Sequence, residues 1–299
     1  MTKPKIEKVI ILGHTGFIGS ALHQYFRQNG TNEVYGFSSS AVDLRNPGSL
    51  ATLEKIVDRK TALIVASAVT RERGDTFEVF DANVSMISNV ARFLESHPVG
   101  CCVYYSSIAV YGDPETNLAI NEETAVRPDS YYALAKYAGE FILEEAAKRL
   151  GFPLLLLRAS RVYGPGDTHA TYGPMKFIRD ILDEGKVYLF GEGEELRDHL
   201  YIDDLVQLTD RLIHGKFSGR FNLVAGKSRT FREIVEIFRK LSPQPCETVH
   251  VERKKPLIHQ EFDIRKLSRA VPGFAFTDIQ KGLEETFHAF AALGKNAVL

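Results

Sequence analysis

The sequence predicts an α/β fold, a doubly wound parallel sheet joined to a second, smaller α/β lobe. Three observations carry this prediction. Short uninterrupted apolar runs alternate with helix-period patterns through the first half of the 299 residues. A glycine-rich turn, GHTGFIG at 13–19, joins the first apolar run to the first helical one. After Gly164, Pro165 and Gly166 the alternation loses its regularity. Strands that are apolar throughout are buried on both faces, which calls for helices above and below a parallel sheet.

Each element follows from its own pattern. Residues 9–12 read as the first strand and 17–28 as a helix, with Ala21, Leu22, Tyr25 and Phe26 on one face. Residues 33–37 are the second strand and 50–57 the next helix. Residues 62–66 form an unbroken apolar strand, followed by a helix within 81–96. Residues 101–105 are a strand, 131–150 a long helix and 153–157 another strand. The division expected is a dinucleotide-binding domain over 1–165 and a mainly substrate-binding lobe over 166–299, with segments returning to the first domain. In that lobe Gly191 and Gly193 mark a hairpin or loop. Thr230 and Glu233 form a capping box for a helix whose Ile234, Ile237 and Phe238 face inward.

Composition narrows the function classes. Hydrophobic residues make up 44% and charged residues 25%, as in an ordinary globular protein. A net charge of −1 provides no overall field for nucleic acid or an anionic membrane. No apolar run approaches the length of a membrane span, and the apolar stretch at residues 9–12 is too short for a signal peptide. Cys101, Cys102 and Cys246 are an odd set without metal-ligand spacing, which fits a reducing compartment. A cytoplasmic protein that binds no nucleic acid, membrane or metal is expected.

The glycine turn has the setting of a dinucleotide site, following a strand and opening a helix. Glycines admit a pyrophosphate close to the backbone, and the helix N-terminus offers unpaired N–H groups. The end of the second strand is Phe37 followed by Ser38, Ser39 and Ser40, where a carboxylate would bind the ribose hydroxyls of NAD. Hydroxyls can instead donate to a 2′-phosphate. The cofactor is therefore NADP or NAD, with NADP favoured, and Arg45 is a candidate phosphate partner.

Tyr132 and Lys136 lie four residues apart in the predicted helix and so share one face. A neighbouring ammonium favours the phenolate, which draws a phenol toward use as an acid and base. The spacing alone is common by chance; Ser106 and Ser107 at a strand end upstream make it informative.

The glycine loop, with Gly13, Gly16 and Gly19, resembles that of the extended short-chain dehydrogenase/reductases, and SSIAVYG at 106–112 resembles their SSxxVYG segment. Arg158 to Pro165 is similar to LRxxNVYGP, Arg197 to Asp204 to RDFVYVDD, and FNLV at 221–224 and GLEET at 282–286 match later landmarks. Together these resemble the NAD-dependent epimerase/dehydratase family, whose members mostly modify nucleotide-activated sugars. The resemblance implies Ser107, Tyr132 and Lys136 as the catalytic set. Tyr132 would exchange the proton, Lys136 would tune it and bind the nicotinamide ribose, and Ser107 would orient the substrate oxygen. It also implies cofactor contacts from Gly13, Thr15, Gly16, Phe17, Ile18, Gly19, Ser38, Asp43, Leu44, Ala66, Ser67, Ala68, Asn83, Ser106, Tyr132, Lys136 and Ser160. Substrate contacts would come from Ser107, Tyr132, Arg161, Lys176 and Arg197, with Arg197 on the diphosphate.

Three positions depart from the family pattern. Arg161 replaces an Asn, Lys176 stands where an Asn is common, and 66–68 reads Ala66, Ser67, Ala68 instead of the usual histidine- and glycine-containing segment. Ile108 and Ala109 replace the Asp and Glu that resemble 4,6-dehydratases, leaving no carboxylate to take the C5 proton. Two reactions remain. A reductase would deliver hydride to a 4-keto nucleotide sugar; an epimerase would oxidise C4 and return the hydride to its other face. A non-catalytic NAD(P)-sensing protein is the alternative from another class. A homodimer is expected from the resemblance, with Phe141, Ile142 and Leu143 able to serve either the partner or the core.

Overall fold

The computed structural model describes residues 5–70, 73–113, 116–167, 173–254 and 256–293, so every candidate site residue is described; residues 1–4, the basic start of the chain, lie outside. In chain order the elements are β1 (Lys8–Leu12), α1 (Phe17–Gln28), β2 (Glu33–Phe37), β3 (Thr61–Val65), α2 (Phe77–Ser96), β4 (Cys101–Ser107), β5 (Thr116–Ile120) and α3 (Tyr131–Leu150). There follow β6 (Leu154–Ala159), β7 (Arg161–Tyr163), α4 (Gly173–Glu184), β8 (Lys186–Phe190), β9 (Leu196–Arg197), β10 (His199–Tyr201), α5 (Ile202–His214) and β11 (Gly219–Leu223). The chain ends with β12 (Arg229–Thr230), α6 (Phe231–Leu241), β13 (Glu247–Val251), β14 (His259–Phe262), α7 (Arg265–Ala270) and α8 (Ile279–Leu293).

Six strands form one parallel sheet in the order β11-β6-β4-β3-β1-β2. The order reverses between β1 and β3, so the loops after these strands open into a cleft at the carboxyl edge, with the end of β4 next along the sheet. Side chains alternate between faces as the pleat requires. Val9, Ile11, Ala62, Ile64, Val103, Tyr105, Leu155 and Leu157 pack with Leu22 and Phe26 of α1 and Leu205, Leu208 and Leu212 of α5. Ile10, Leu12, Leu63, Val65, Cys102, Tyr104, Leu154 and Leu156 pack with Ile87, Val90 and Leu94 of α2 and Leu143 of α3. This is the doubly wound, Rossmann-like architecture expected from the apolar runs.

The later part of the chain supplies both the far edge of that sheet and a separate core. β11 pairs with β6 in parallel, Phe221 opposite Leu157. A smaller cluster gathers Phe177, Ile178, Val187, Leu189, Ile234, Phe238, Leu283 and Phe287 from α4, β8, α6 and α8. The capping box at the start of α6 is formed: the Thr230 hydroxyl accepts from Glu233 N at 3.1 Å and the Glu233 carboxylate accepts from Thr230 N at 2.8 Å.

One local expectation needs correction. Residues 50–57 do not form an α-helix; Pro47–Leu53 is a short 3-10 helix. Pro47 sits at its start, and the Asn46 side chain accepts from Gly48 N at 3.0 Å. Leu50 and Leu53, three residues apart, are both buried. That spacing aligns them in a helix of three residues per turn, and a mixed apolar stretch this short carries no longer period to choose the α form.

Candidate active site

The glycine loop is a backbone cradle. Gly13 N donates to Phe37 O at 2.8 Å, tying the turn to the end of β2. A Cβ on Gly19 would lie 2.1 Å from Gly13 O, and one on Gly13 would lie 2.7 Å from Ser67 Oγ. Gly13 also has φ of +92°, which side chains strain against. Gly16 caps α1 with no side-chain hydrogen bond, leaving the first N–H groups directed past the exposed Thr15 and Gly16. Such an opening suits a dinucleotide pyrophosphate, which needs close backbone approach and N–H donors.

The walls of the cradle come from β2 and β3. Ser38 Oγ, half-buried at the end of β2, lies 2.7 Å from the exposed Ser40 Oγ. Asp43 is gripped by Arg45, with Nε–Oδ1 at 3.0 Å and Nη2–Oδ2 at 2.8 Å, so each occupies the other's charge. Leu44 is buried and its carbonyl accepts from Asn89 at 2.8 Å. Ala66 N donates to Leu12 O at 3.0 Å, and Ser67 faces Gly13. Asn83 is spent on backbone: its oxygen accepts from Val69 N at 3.0 Å, and its amide donates to Val69 O at 3.0 Å and Val79 O at 2.8 Å. It shapes the loop carrying Ser67 and Ala68 and keeps no amide hydrogen for a ligand. Phe17 and Ile18 are half-buried against the smaller lobe's core, and Ser160 N donates to Leu223 O at 3.0 Å.

The three catalytic candidates come together at the carboxyl edge of β4. Ser107 is its last residue, with Oγ accepting from Ala109 N at 3.1 Å. The helix α3 packs along β4 and the turn that follows it. Its start is held twice: Ser130 Oγ accepts from Ala133 N at 3.2 Å, and Asp75 Oδ1 accepts from Tyr132 N at 3.1 Å. Gly151, in the left-handed region, closes its far end. Gly139 permits the close approach to β4, since a Cβ there would meet the Tyr104 hydroxyl at 2.5 Å.

Lys136 is buried at the centre of this arrangement. Its Nζ donates to Tyr105 O at 2.7 Å and stands 5.8 Å from the Tyr132 ring centroid and 5.1 Å from that of Tyr104. Burial pulls its pKa down to about 8, against the upward pull of the Glu140 carboxylate. Tyr132 is half-buried, while Tyr104 is enclosed and its phenol is raised well above the usual range by burial. Tyr131, beside Tyr132, turns outward to the rings of Phe77 and Phe80.

Ser106 points away from Ser107, as strand alternation requires, onto the α3 face, where its hydroxyl donates to Glu140 Oε1 at 2.5 Å. Among the expected cofactor contacts it therefore stands in the core, behind the cleft.

The cations expected at the substrate differ in their partners. Arg197 is buried, donates to Leu196 O at 3.0 Å and to Ile258 O, and forms no ion pair among the described residues. Asp198 instead accepts from Ala225 N at 3.0 Å and Gly226 N at 2.7 Å. Burial lowers the Arg197 pKa from its ordinary value, against the upward pull of the Asp113 and Glu195 carboxylates. Arg161 Nη1 donates to Gln260 Oε1 at 3.2 Å. Lys176 is tied to Asp180 by contacts of 2.7 and 2.8 Å, one turn along α4.

Sequence reading missed several participants. Gln260 also donates to Asp113 Oδ1 at 2.9 Å and so bridges Arg161 to the loop after β4; no local signal could have announced it. Asp75 caps α3 from 57 residues away. Glu140 was legible in principle, four residues after Lys136 on the same helix face. No group of His, Cys, Asp and Glu able to hold a metal ion occurs among the described residues.

Residues 9–223 match the model of the NAD dependent epimerase/dehydratase family. An uncharacterized UDP-glucose epimerase of Bacillus subtilis is 26% identical over 225 residues, covering 67% of this chain and 70% of that protein. A dTDP-4-dehydro-6-deoxy-D-allose reductase of Streptomyces bikiniensis is 26% identical over 226 residues, covering 71% and 68%. In fold, the chain is similar to RMD from Pseudomonas aeruginosa, solved with NADPH, with a TM-score of 0.85 and 21% identity over 96% of this chain and 99% of that one.

Proposed function

This chain belongs to the NAD-dependent epimerase/dehydratase family, and from that premise we propose an NAD(P)-dependent reductase acting at a carbonyl or carbinol carbon, C4, of a nucleotide-activated sugar. The observation that carries the chemistry is the meeting of Ser107, Tyr132 and buried Lys136 at the sheet edge. The reductase relative and the NADPH-bound fold neighbour support the same reading. A nicotinamide held against the glycine cradle, Ser38 and Lys136 would supply the hydride. The chain's own residues then manage the oxygen. Tyr132 gives its hydroxyl proton to the substrate oxygen during reduction and takes it back in the reverse direction. Ser107 donates a hydrogen bond to the same oxygen, where negative charge develops. The Lys136 ammonium stabilises the phenolate that Tyr132 becomes. Arg197, buried with no ion pair among the described residues, takes the substrate diphosphate.

One feature favours reduction over epimerisation, and a second argues against dehydration. The end of β2 offers Ser38 and Ser40 in place of a carboxylate, which suits a phosphorylated cofactor exchanged with solvent. Ile108 and Ala109 leave no acid–base pair for dehydration. An epimerase with tightly held NAD is the second reading, favoured by the epimerase relative. Absorbance near 340 nm, followed with 4-keto nucleotide sugars and NADPH or NADH, separates the possibilities. A reductase consumes reduced cofactor, an epimerase turns over without net consumption, and a sensor binds without turnover. Ser38→Asp should shift preference from NADPH toward NADH by about tenfold or more, because a carboxylate there repels a 2′-phosphate. Equal preference in variant and parent would remove Ser38 from cofactor choice.

The same reading places the protein in the cytoplasm as a homodimer. No helix among the described residues is long and apolar enough to cross a membrane. Phe77, Tyr131, Leu134 and Phe141 expose large apolar side chains along α2 and α3, a surface suited to a second copy of the chain.

A further inference from the structure

Behind the catalytic candidates lies a buried polar assembly that the reaction as described does not use. Glu140 follows Lys136 by one helical turn and has no exposed surface. Arg158 on β6 grips its carboxylate with Nε–Oε1 at 2.9 Å and Nη2–Oε2 at 2.6 Å, and Ser106 on β4 donates to Oε1. Arg158 also donates to the Tyr111 hydroxyl at 2.9 Å, which donates to Asn222 Oδ1 at 2.7 Å on β11. Arg220 Nε stands 3.8 Å from Glu140, its own pair being Glu144 at 2.5 Å. A buried ion pair contributes little net stability compared with apolar side chains of similar size. Its carboxylate lies one helical turn from Lys136 and accepts from Ser106, the residue before Ser107, and this placement calls for another explanation.

Resting on the reading of Tyr132 and Lys136 as the proton-transfer pair, we propose that Glu140 is a positioning residue that holds the Lys136 ammonium charged and in place. Two links carry its influence. The first is through space. Glu140 is not in contact with Lys136, whose Nζ is taken by Tyr105 O, but it is the carboxylate that favours the charged lysine against burial. Among the described residues, the other titratable groups facing Lys136 are the phenols of Tyr132 on its own helix and Tyr104 on β4, both offering ring faces. The second link is mechanical. Ser106 hangs from Glu140, and its neighbours in the chain are Tyr105, whose carbonyl seats the ammonium, and Ser107. Arg158 fixes the carboxylate bidentately so that it cannot turn toward the lysine.

The test is the titration of Lys136 itself, followed by NMR of protein carrying [ε-13C]lysine, the signal being identified by its loss in Lys136→Met. Wild type should titrate near pH 8. Glu140→Gln should lower that midpoint by about one pH unit or more, and Glu140→Asp should return part of the shift. If Glu140→Gln alone does not fold, Glu140→Gln/Arg158→Met removes both charges together and should still titrate lower than wild type. A midpoint that stays in place in the folded variants overturns the proposal. Neither substrate nor cofactor enters this measurement. A wild type that turns over no nucleotide sugar would count against the function and leave the titration result standing. An unmoved midpoint in an active enzyme would sink the positioning role alone.

Discussion

Replacing Tyr132 with Phe should lower turnover by about 10²–10⁴-fold while leaving cofactor affinity and thermal stability near those of the parent. On the proposed assignment the phenol is the proton source at the reacting oxygen, and Phe deletes only its hydroxyl. A loss of that size corresponds to roughly 3–5 kcal/mol of transition-state stabilisation. Tyr132 is half-buried and its backbone N–H keeps the bond to Asp75, so the fold should survive the change. The control is cofactor binding by nicotinamide fluorescence. Comparable turnover in the variant would remove Tyr132 from proton transfer. Equal losses in affinity and turnover would point to damage of the cleft.

Arg158→Met should be the most destabilising single change considered, by about 3–5 kcal/mol, because it leaves the buried Glu140 carboxylate without its bidentate partner, with Arg220 Nε 3.8 Å away as its remaining cation. Against a total stability of about 5–15 kcal/mol for a folded domain, such a loss brings the protein close to unfolding at working temperature. Urea titration gives the comparison directly. Glu140→Gln/Arg158→Met should recover most of the loss, since the pair is then removed as a unit and Ser106 keeps an acceptor. If Arg158→Met is as stable as the parent, the pair is not the closed electrostatic unit its geometry describes.

Much of the fold was legible because its signals are local. The limits of α1 and α3 were readable from helical period, glycine and cap residues, and the strands from unbroken apolar runs. Residues 50–57 misled because a short mixed stretch cannot distinguish three residues per turn from 3.6; Pro47 and Asn46 decided it. The candidate site was legible as a set of types at known spacings, Ser107, Tyr132 and Lys136 with the glycine turn. Its supporting contacts were not. Asp75 under Tyr132, Gln260 across Arg161 and Arg158 on Glu140 join residues 18 to 99 positions apart, and no local pattern encodes such pairs.

The same division runs through the charges. Sequence alone presented Arg45, Arg161, Lys176 and Arg197 as four cations that could meet an anionic ligand. The folded structure pairs Arg45 with Asp43 and Lys176 with Asp180, sets Arg161 on Gln260, and leaves Arg197 buried with no ion pair among the described residues. By itself, then, the sequence determined the doubly wound sheet, the glycine turn and the candidate proton-transfer groups, since period, glycine and spacing act over a few residues. Which charges remain available only the folded structure decided, and that Lys136 is buried near a carboxylate that opposes the loss of its proton, only the packing of β4, β6 and α3 decided. Desolvation and Coulomb forces depend on what surrounds a group in space, and distant segments supply those surroundings.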